Sequence, residues 1–136
     1  MVVIDTNIVL DLLVFRDPAS LPLQQALQTG ALQWLVTPGM RVELQRVLGY
    51  PQIAPRLLFY QLLPEQVLAG FDQWAQVVDA APKAPFICKD ADDQAFIDLA
   101  VAHRALLLSK DQMVLRLGKR LLTAGVRVQR AISPAA

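Results

Sequence analysis

The chain opens on an apolar run that stops abruptly at an acid: Val2-Val3-Ile4 leads straight into Asp5, Thr6 and Asn7. A short, fully apolar run without alternation reads as a strand buried on both faces of a parallel sheet. The acid then stands at the strand's carboxyl end, the edge at which open α/β sheets bind their ligands. The pattern returns late in the chain, where Ala105-Leu106-Leu107-Leu108 leads into Ser109-Lys110-Asp111. Two buried strands therefore each deliver a carboxylate to the same edge of one sheet.

Proline and glycine punctuate the rest. After a first strand at 2–4, a helix from 6 or 7 to about 15 is ended by Asp17-Pro18, because the residue before a proline is pushed out of the helical region. A second helix at 21–28 stops at Thr29-Gly30, a glycine C-cap, and a second strand covers 32–36. Thr37 is the N-cap, and Pro38 the first turn, of a helix that runs to 48. One or two helices cover 55–74 with a break near Pro64, followed by a short strand at 75–78 and a Pro/Ala connector at 80–85. A helix at 92–104, a strand at 105–108, short helices at 111–117 and 119–123 and a strand at 126–128 complete the pattern. Strands alternating with helices imply right-handed crossovers and an α/β fold around a mainly parallel sheet. At 136 residues the chain has the length of one domain with a real core, and residues 1–136 are read as one.

Apolar residues make up 54% of the chain and mean hydropathy is +0.38, which fits strands covered on both faces or an apolar surface used in self-association. Leu57, Leu58, Phe59, Tyr60, Leu62 and Leu63 crowd one short segment, read either as a homodimer surface or as a wholly buried helix. No apolar run reaches the ~18 residues that span a membrane, and no basic leader with a cleavage site precedes Asp5, so a cytoplasmic protein without a membrane partner is expected. The single cysteine, Cys88, has no partner for an internal disulfide and reads as a small buried hydrophobe. A net charge of +1 neither favours nor disfavours a polyanionic partner. Locally, Arg41, Arg46, Arg56, Lys89, Lys110, Arg116, Lys119 and Arg120 lie near the acid-bearing segments, as solvated helix faces or as a phosphate-tracking surface.

Helical geometry selects among the remaining acids. On the helix after Pro38, Met40, Leu44, Val47 and Leu48 form the apolar stripe; Glu43 is aimed at or near it, whereas Arg41, Gln45 and Arg46 face water. On the helix after the connector, Asp93 shares a face with Phe96, Ile97 and Ala100, Asp98 points to the other side, and Asp90 precedes the helix. A core-facing carboxylate is costly unless paired. Each acid taken alone has a capping role open to it: Asp5 and Asp111 for the helices that follow them, Asp92 or Asp93 for the helix near 92. Four such acids together call for a cation, because clustered carboxylates repel and raise one another's pKa values. Oxygen-only donors favour Mg²⁺ or Mn²⁺; with His103 the lone histidine and no cysteine cluster, no zinc site of ordinary spacing is present. Such an ion carries water that can become a nucleophile and stabilises charge on a phosphodiester in transit.

The segments Val2-Val3-Ile4-Asp5-Thr6-Asn7, Glu43-Leu44-Gln45-Arg46-Val47-Leu48 followed by Pro51, Cys88-Lys89-Asp90-Ala91-Asp92-Asp93-Gln94-Ala95-Phe96 and Leu108-Ser109-Lys110-Asp111 resemble the PIN-domain nucleases. Within that family they look most like the toxin components of bacterial toxin–antitoxin pairs. The resemblance spans essentially the whole chain and keeps four acidic motifs in family order. It implies a three-layer α/β/α fold and a metal-dependent ribonuclease directed at single-stranded or structured RNA. It carries catalytic and metal-holding roles onto Asp5, Glu43, Asp93 and Asp111, with Asn7, Thr6 and Ser109 in support and Asp92 as an alternative to Asp93. Arg41, Arg46, Lys89, Lys110 and Arg116 are the RNA-contacting candidates, and an antitoxin that offers Arg or Lys to the acids is the implied protein partner. Two positions depart from the family pattern. Met113 stands where relatives often carry an acid two places after the one matched by Asp111, and Gln94 where a further acid often follows Asp93.

Three other classes share parts of this pattern. An aspartyl-phosphate phosphatase requires a second Asp where Asn7 stands, and a receiver domain requires an acid pair after the first strand and a solitary Asp after a central one. A PIN-like fold retained as a non-catalytic RNA- or protein-binding module is the remaining alternative.

Overall fold

The computed structural model describes residues 1–132. Strands β1 (Val2–Ile4), β2 (Trp34–Val36), β3 (Ala75–Val77), β4 (Leu106–Leu108) and β5 (Val128–Gln129) form one five-stranded sheet in the order β3-β2-β1-β4-β5. Every pairing is parallel. β1 is central and fully buried, with Val2, Val3 and Ile4 aligned on Leu106, Leu107 and Leu108 of β4. The strand order reverses between β1 and β4, so right-handed crossovers put the helices that follow β1 and β2 on one face and the later ones on the other. The crevice of such a sheet opens at the carboxyl ends of the two strands at the reversal.

The helices are α1 (Thr6–Leu10), α2 (Leu21–Gln28), α3 (Pro38–Leu48), α4 (Ala54–Phe59), α5 (Pro64–Trp74), α6 (Gln94–His103), α7 (Gln112–Leu115) and α8 (Gly118–Leu122). α6 packs on β1 and β4, α7 and α8 on β5, and α3 on α5. Among the described residues no helix is long and apolar enough to cross a membrane. α3 keeps its expected ends, with Thr37 accepting the Met40 N–H and Pro38 in the first turn. Gly30, at φ +79°, takes the left-handed turn that ends α2.

Several boundaries differ from the sequence expectation. The first helix ends at Phe15 as expected, with Arg16 left-handed at φ 49° after it, but it is regular only to Leu10 and widens to a π-helical turn over Asp11–Phe15. β2 starts at Trp34 rather than at 32, since the Leu32 N–H is drawn back to Ala26 O. β5 lies at Val128–Gln129 instead of 126–128, because Val126 closes the turn after α8 by donating to Leu121 O and is buried there. The helix expected at 92–104 begins as a 3₁₀ turn over Ala91–Asp93, and α6 starts only at Gln94. The segment 57–63 is not a buried helix: Leu57 is buried, whereas Leu58 and Phe59 are 77% and 80% exposed.

Candidate functional site

Asp5 leaves β1 and caps α1, its Oδ1 accepting the Ile8 N–H at 3.1 Å. Its Oδ2 accepts the Ser109 hydroxyl at 2.6 Å, across the two neighbouring strand ends. Ser109 is fully buried, and its Oγ in turn accepts the Asp111 N–H at 3.1 Å. Asp111 caps α7 by accepting the Met113 N–H at 2.7 Å. The capping roles open to Asp5 and Asp111 are therefore real. They do not turn the acids away from the crevice, because a cap uses one lone-pair direction of a carboxylate that has about four.

One cleft at this edge is lined by Asp5, Thr6, Asn7, Glu43, Asp90, Asp93 and Asp111, together with Gln52 and with Leu10, Val47, Tyr50 and Ile53. Glu43 reaches it half-buried from α3. Burial raises its pKa first and the charge of Asp92 adds to this, while Arg46 pulls it down. Burial also raises Asp5, against the bonds from Ser109 and Ile8 and the charge of Lys110. Asp93 is pushed up to about 7 by burial and then by the charges of Asp111 and Asp90. Asp92 is exposed and does not line the cleft.

The tightest group is Asp90, Asp93 and Asp111, each offering a carboxylate oxygen within 4.8 Å of the others. Asp90 precedes the helix and carries no signal from helical periodicity. In the structure it caps the 3₁₀ turn by accepting the Asp92 N–H at 3.0 Å, which brings its carboxylate beside Asp93. The short Asp-Ala-Asp-Asp spacing was the available signal. Asp93 consequently sits just ahead of α6, which starts at Gln94, two residues later than expected.

Gln94, at the position where a further acid often follows in the family pattern, holds the preceding loop. Its Oε1 accepts the Cys88 N–H, and its Nε2 donates to Phe86 O and Asp98 Oδ1. Asp98, expected on the far side of the helix, accepts the Ala84 N–H at 2.8 Å. The bonds to Ala84, Phe86 and Cys88 pin the stretch of chain that leads into Asp90. Cys88 is buried, as a small hydrophobe would be, and burial pushes its thiol pKa up. Of the basic candidates, Arg41 is held by Asp72 through bonds of 2.7 and 2.9 Å instead of standing free in water, and Lys110 is paired with Asp11. Arg46, Lys89 and Arg116 are exposed.

The donor set is all carboxylate oxygen. Asp93 Oδ2 is buried and has no hydrogen-bond partner among the described residues. Uncompensated, that atom is costly; a divalent cation is the group whose charge and ligand preference satisfy it. Residues 1–112 match the family model for the PIN domain. The chain belongs to the PIN-domain family. No curated protein matches it. PIN domains are generally nucleases and typically bind a divalent metal, and this PIN domain carries an acidic cluster at the sheet edge where that chemistry belongs.

Proposed function

We propose that this PIN domain, a single domain over 1–136, is a Mg²⁺- or Mn²⁺-dependent endoribonuclease acting on single-stranded or structured RNA. The observation that carries the reading is the set of acids lining one cleft, with Asp93 Oδ2 buried and unpartnered. Asp93, Asp111 and Asp90 are the residues to hold the cation, with Asp5 and Glu43 on the same cleft. Bound there, it supplies an acidified water and charge neutralisation at the phosphodiester. Ser109 and the Ile8 N–H keep Asp5 in one orientation, so no reorganisation of that carboxylate is needed when substrate arrives. Glu43, whose proton affinity is raised, is placed to exchange a proton with water or with the leaving oxygen. Asn7, exposed at the mouth, offers an amide N–H₂ to a phosphate oxygen, beside Thr6. Arg46, Lys89 and Arg116 are the cations that meet the RNA backbone; Arg41 and Lys110 do so only by leaving their acids.

The proposal extends to a toxin role in the cytoplasm, supported by the resemblance of the acidic motifs. An antitoxin would present Arg or Lys to the acids, replacing the cation's charge and closing the cleft to phosphate. The exposed Leu58, Phe59 and Leu63 support a homodimer.

The test is cleavage of end-labelled single-stranded RNA. Cleavage in Mn²⁺ that stops in EDTA and is lost in Asp5→Asn is expected, and an intact RNA or an equally active variant overturns the nuclease reading. Expression without a partner should slow growth, and Asp5→Asn should relieve it. Harmless expression of an active enzyme overturns the toxin role alone.

A further inference from the structure

Charge in this chain is strongly segregated by position. Asp111 is the last acid: residues 112–136 hold five basic side chains and no acidic one, whereas residues 1–111 hold eight basic and twelve acidic. Beyond Gln112 the segment also lies outside residues 1–112, the stretch matched by the family model. In the fold it supplies α7, α8 and β5, the edge layer next to β4.

A second, open groove of about 330 Å³ lies there, lined by Gly118, Lys119 and Leu122 from α8 and by Arg127, Val128 and Gln129 from the edge strand. Lys119 and Arg127 are exposed, and neither has an acidic partner among the described residues. Between them Leu122, 56% exposed, and half-buried Val128 make an apolar floor. Cations beside an apolar strip suit a chain that alternates phosphates with sugars and bases. The groove's strand adjoins the strand that leads to the acidic edge: Gln129 pairs with Leu108, and its carbonyl accepts the Ser109 N–H at 2.9 Å. Ser109 is the residue that holds Asp5.

We propose that the groove between α8 and β5 holds the phosphate backbone of the same single-stranded RNA whose scissile bond occupies the acidic cleft, with Lys119 and Arg127 as its phosphate contacts. This rests on the nuclease reading for the identity of the polyanion. It places the strand's flanking nucleotides on a basic surface while the clustered acids take the scissile phosphate, which binds there only with the cation.

The experiment is fluorescence-anisotropy binding of a labelled 16-nucleotide oligouridylate to the full chain in EDTA, where no metal-dependent cleavage intervenes, across a salt series. Lys119→Ala and Arg127→Ala should each reduce the slope of log K against log salt by about 0.7, and the double variant by about 1.4. Lys83→Ala, removing the same unit charge from the exposed connector, should leave the slope unchanged. A wild-type slope in the double variant, an equal loss in Lys83→Ala, or no RNA binding by the wild type overturns the proposal. Unchanged RNA binding with lost sedimentation on anionic phospholipid vesicles would reassign the groove to a lipid surface and overturn it too. Cleavage abolished by Asp5→Asn tests the nuclease reading separately, so the failure of one is not mistaken for the failure of the other.

Discussion

Ser109 Oγ donates to Asp5 Oδ2 at 2.6 Å and accepts the Asp111 N–H at 3.1 Å, so one buried hydroxyl ties together the carboxyl ends of β1 and β4. Asp5 is only 3% exposed, and the bond lowers its pKa against the pull of burial. Removing the hydroxyl leaves a buried carboxylate short of one partner. Ser109→Ala should cost about 2 kcal/mol of stability, as for a hydrogen bond to a charged group, and should reduce RNA cleavage as well. Urea melts and cleavage rates check both. A stability loss well below this with full activity would mean that the bond does not hold Asp5.

Asp93 bears on stability in the opposite direction. Its carboxyl is pushed up by burial and by Asp111 and Asp90, so ionising it strains the metal-free fold. Asp93→Asn should leave the metal-free Tm unchanged or raised and should shrink the upward shift produced by Mn²⁺, which acts by mass action on the folded state. Thermal melts with Mn²⁺ and with EDTA measure this. Equal Mn²⁺ shifts in the two proteins would contradict a cation at Asp93.

The same group sets a pH dependence. The unfolded chain releases the Asp93 proton near the ordinary value of 3.8, while the fold keeps it to about 7. Across that interval the folded state binds more protons, so its stability falls as pH rises. The metal-free protein should be more stable at pH 5 than at pH 8, by about 1 kcal/mol once solvent screening at this half-buried site is allowed for, and should melt at a higher temperature there. Asp5 and Glu43, also raised, act in the same direction. Asp93→Asn should flatten the profile. A higher Tm at pH 8 would contradict the account.

What could be read from the sequence follows from how local each signal is. β1 and β4 were legible with the acids they carry, because an apolar run and its terminal acid are adjacent in the chain. Glu43 was legible because α3 is a regular helix with both ends marked. Asp90 was not, since its position depends on a 3₁₀ turn and on a loop held from Gln94 and Asp98, contacts that no periodicity encodes. The pairing of Arg41 with Asp72, 31 residues away, was invisible for the same reason. Val126 looked like strand, but its backbone serves the turn after α8 and the strand begins two residues later.

The exposed Leu58 and Phe59 lead to an oligomer measurement. Phe59 stacks edge-on with Tyr60 at 5.1 Å, leaving an apolar surface without charge between Arg56 and Glu65. Light scattering at micromolar concentration should give a dimer mass, and Phe59→Glu should give the monomer with its fold intact, because the side chain meets solvent. A monomer mass for the wild type would contradict self-association through this segment.

The central claim is that the acids gather to hold a divalent cation, and crystals soaked in Mn²⁺ with an anomalous difference map test it most directly. The account requires a peak about 2.1 Å from Asp93 Oδ2, shared with Asp111 and Asp90, and absent from Asp93→Asn crystals. A map without a peak in the cleft at millimolar Mn²⁺, or a peak that persists in the variant, would contradict it.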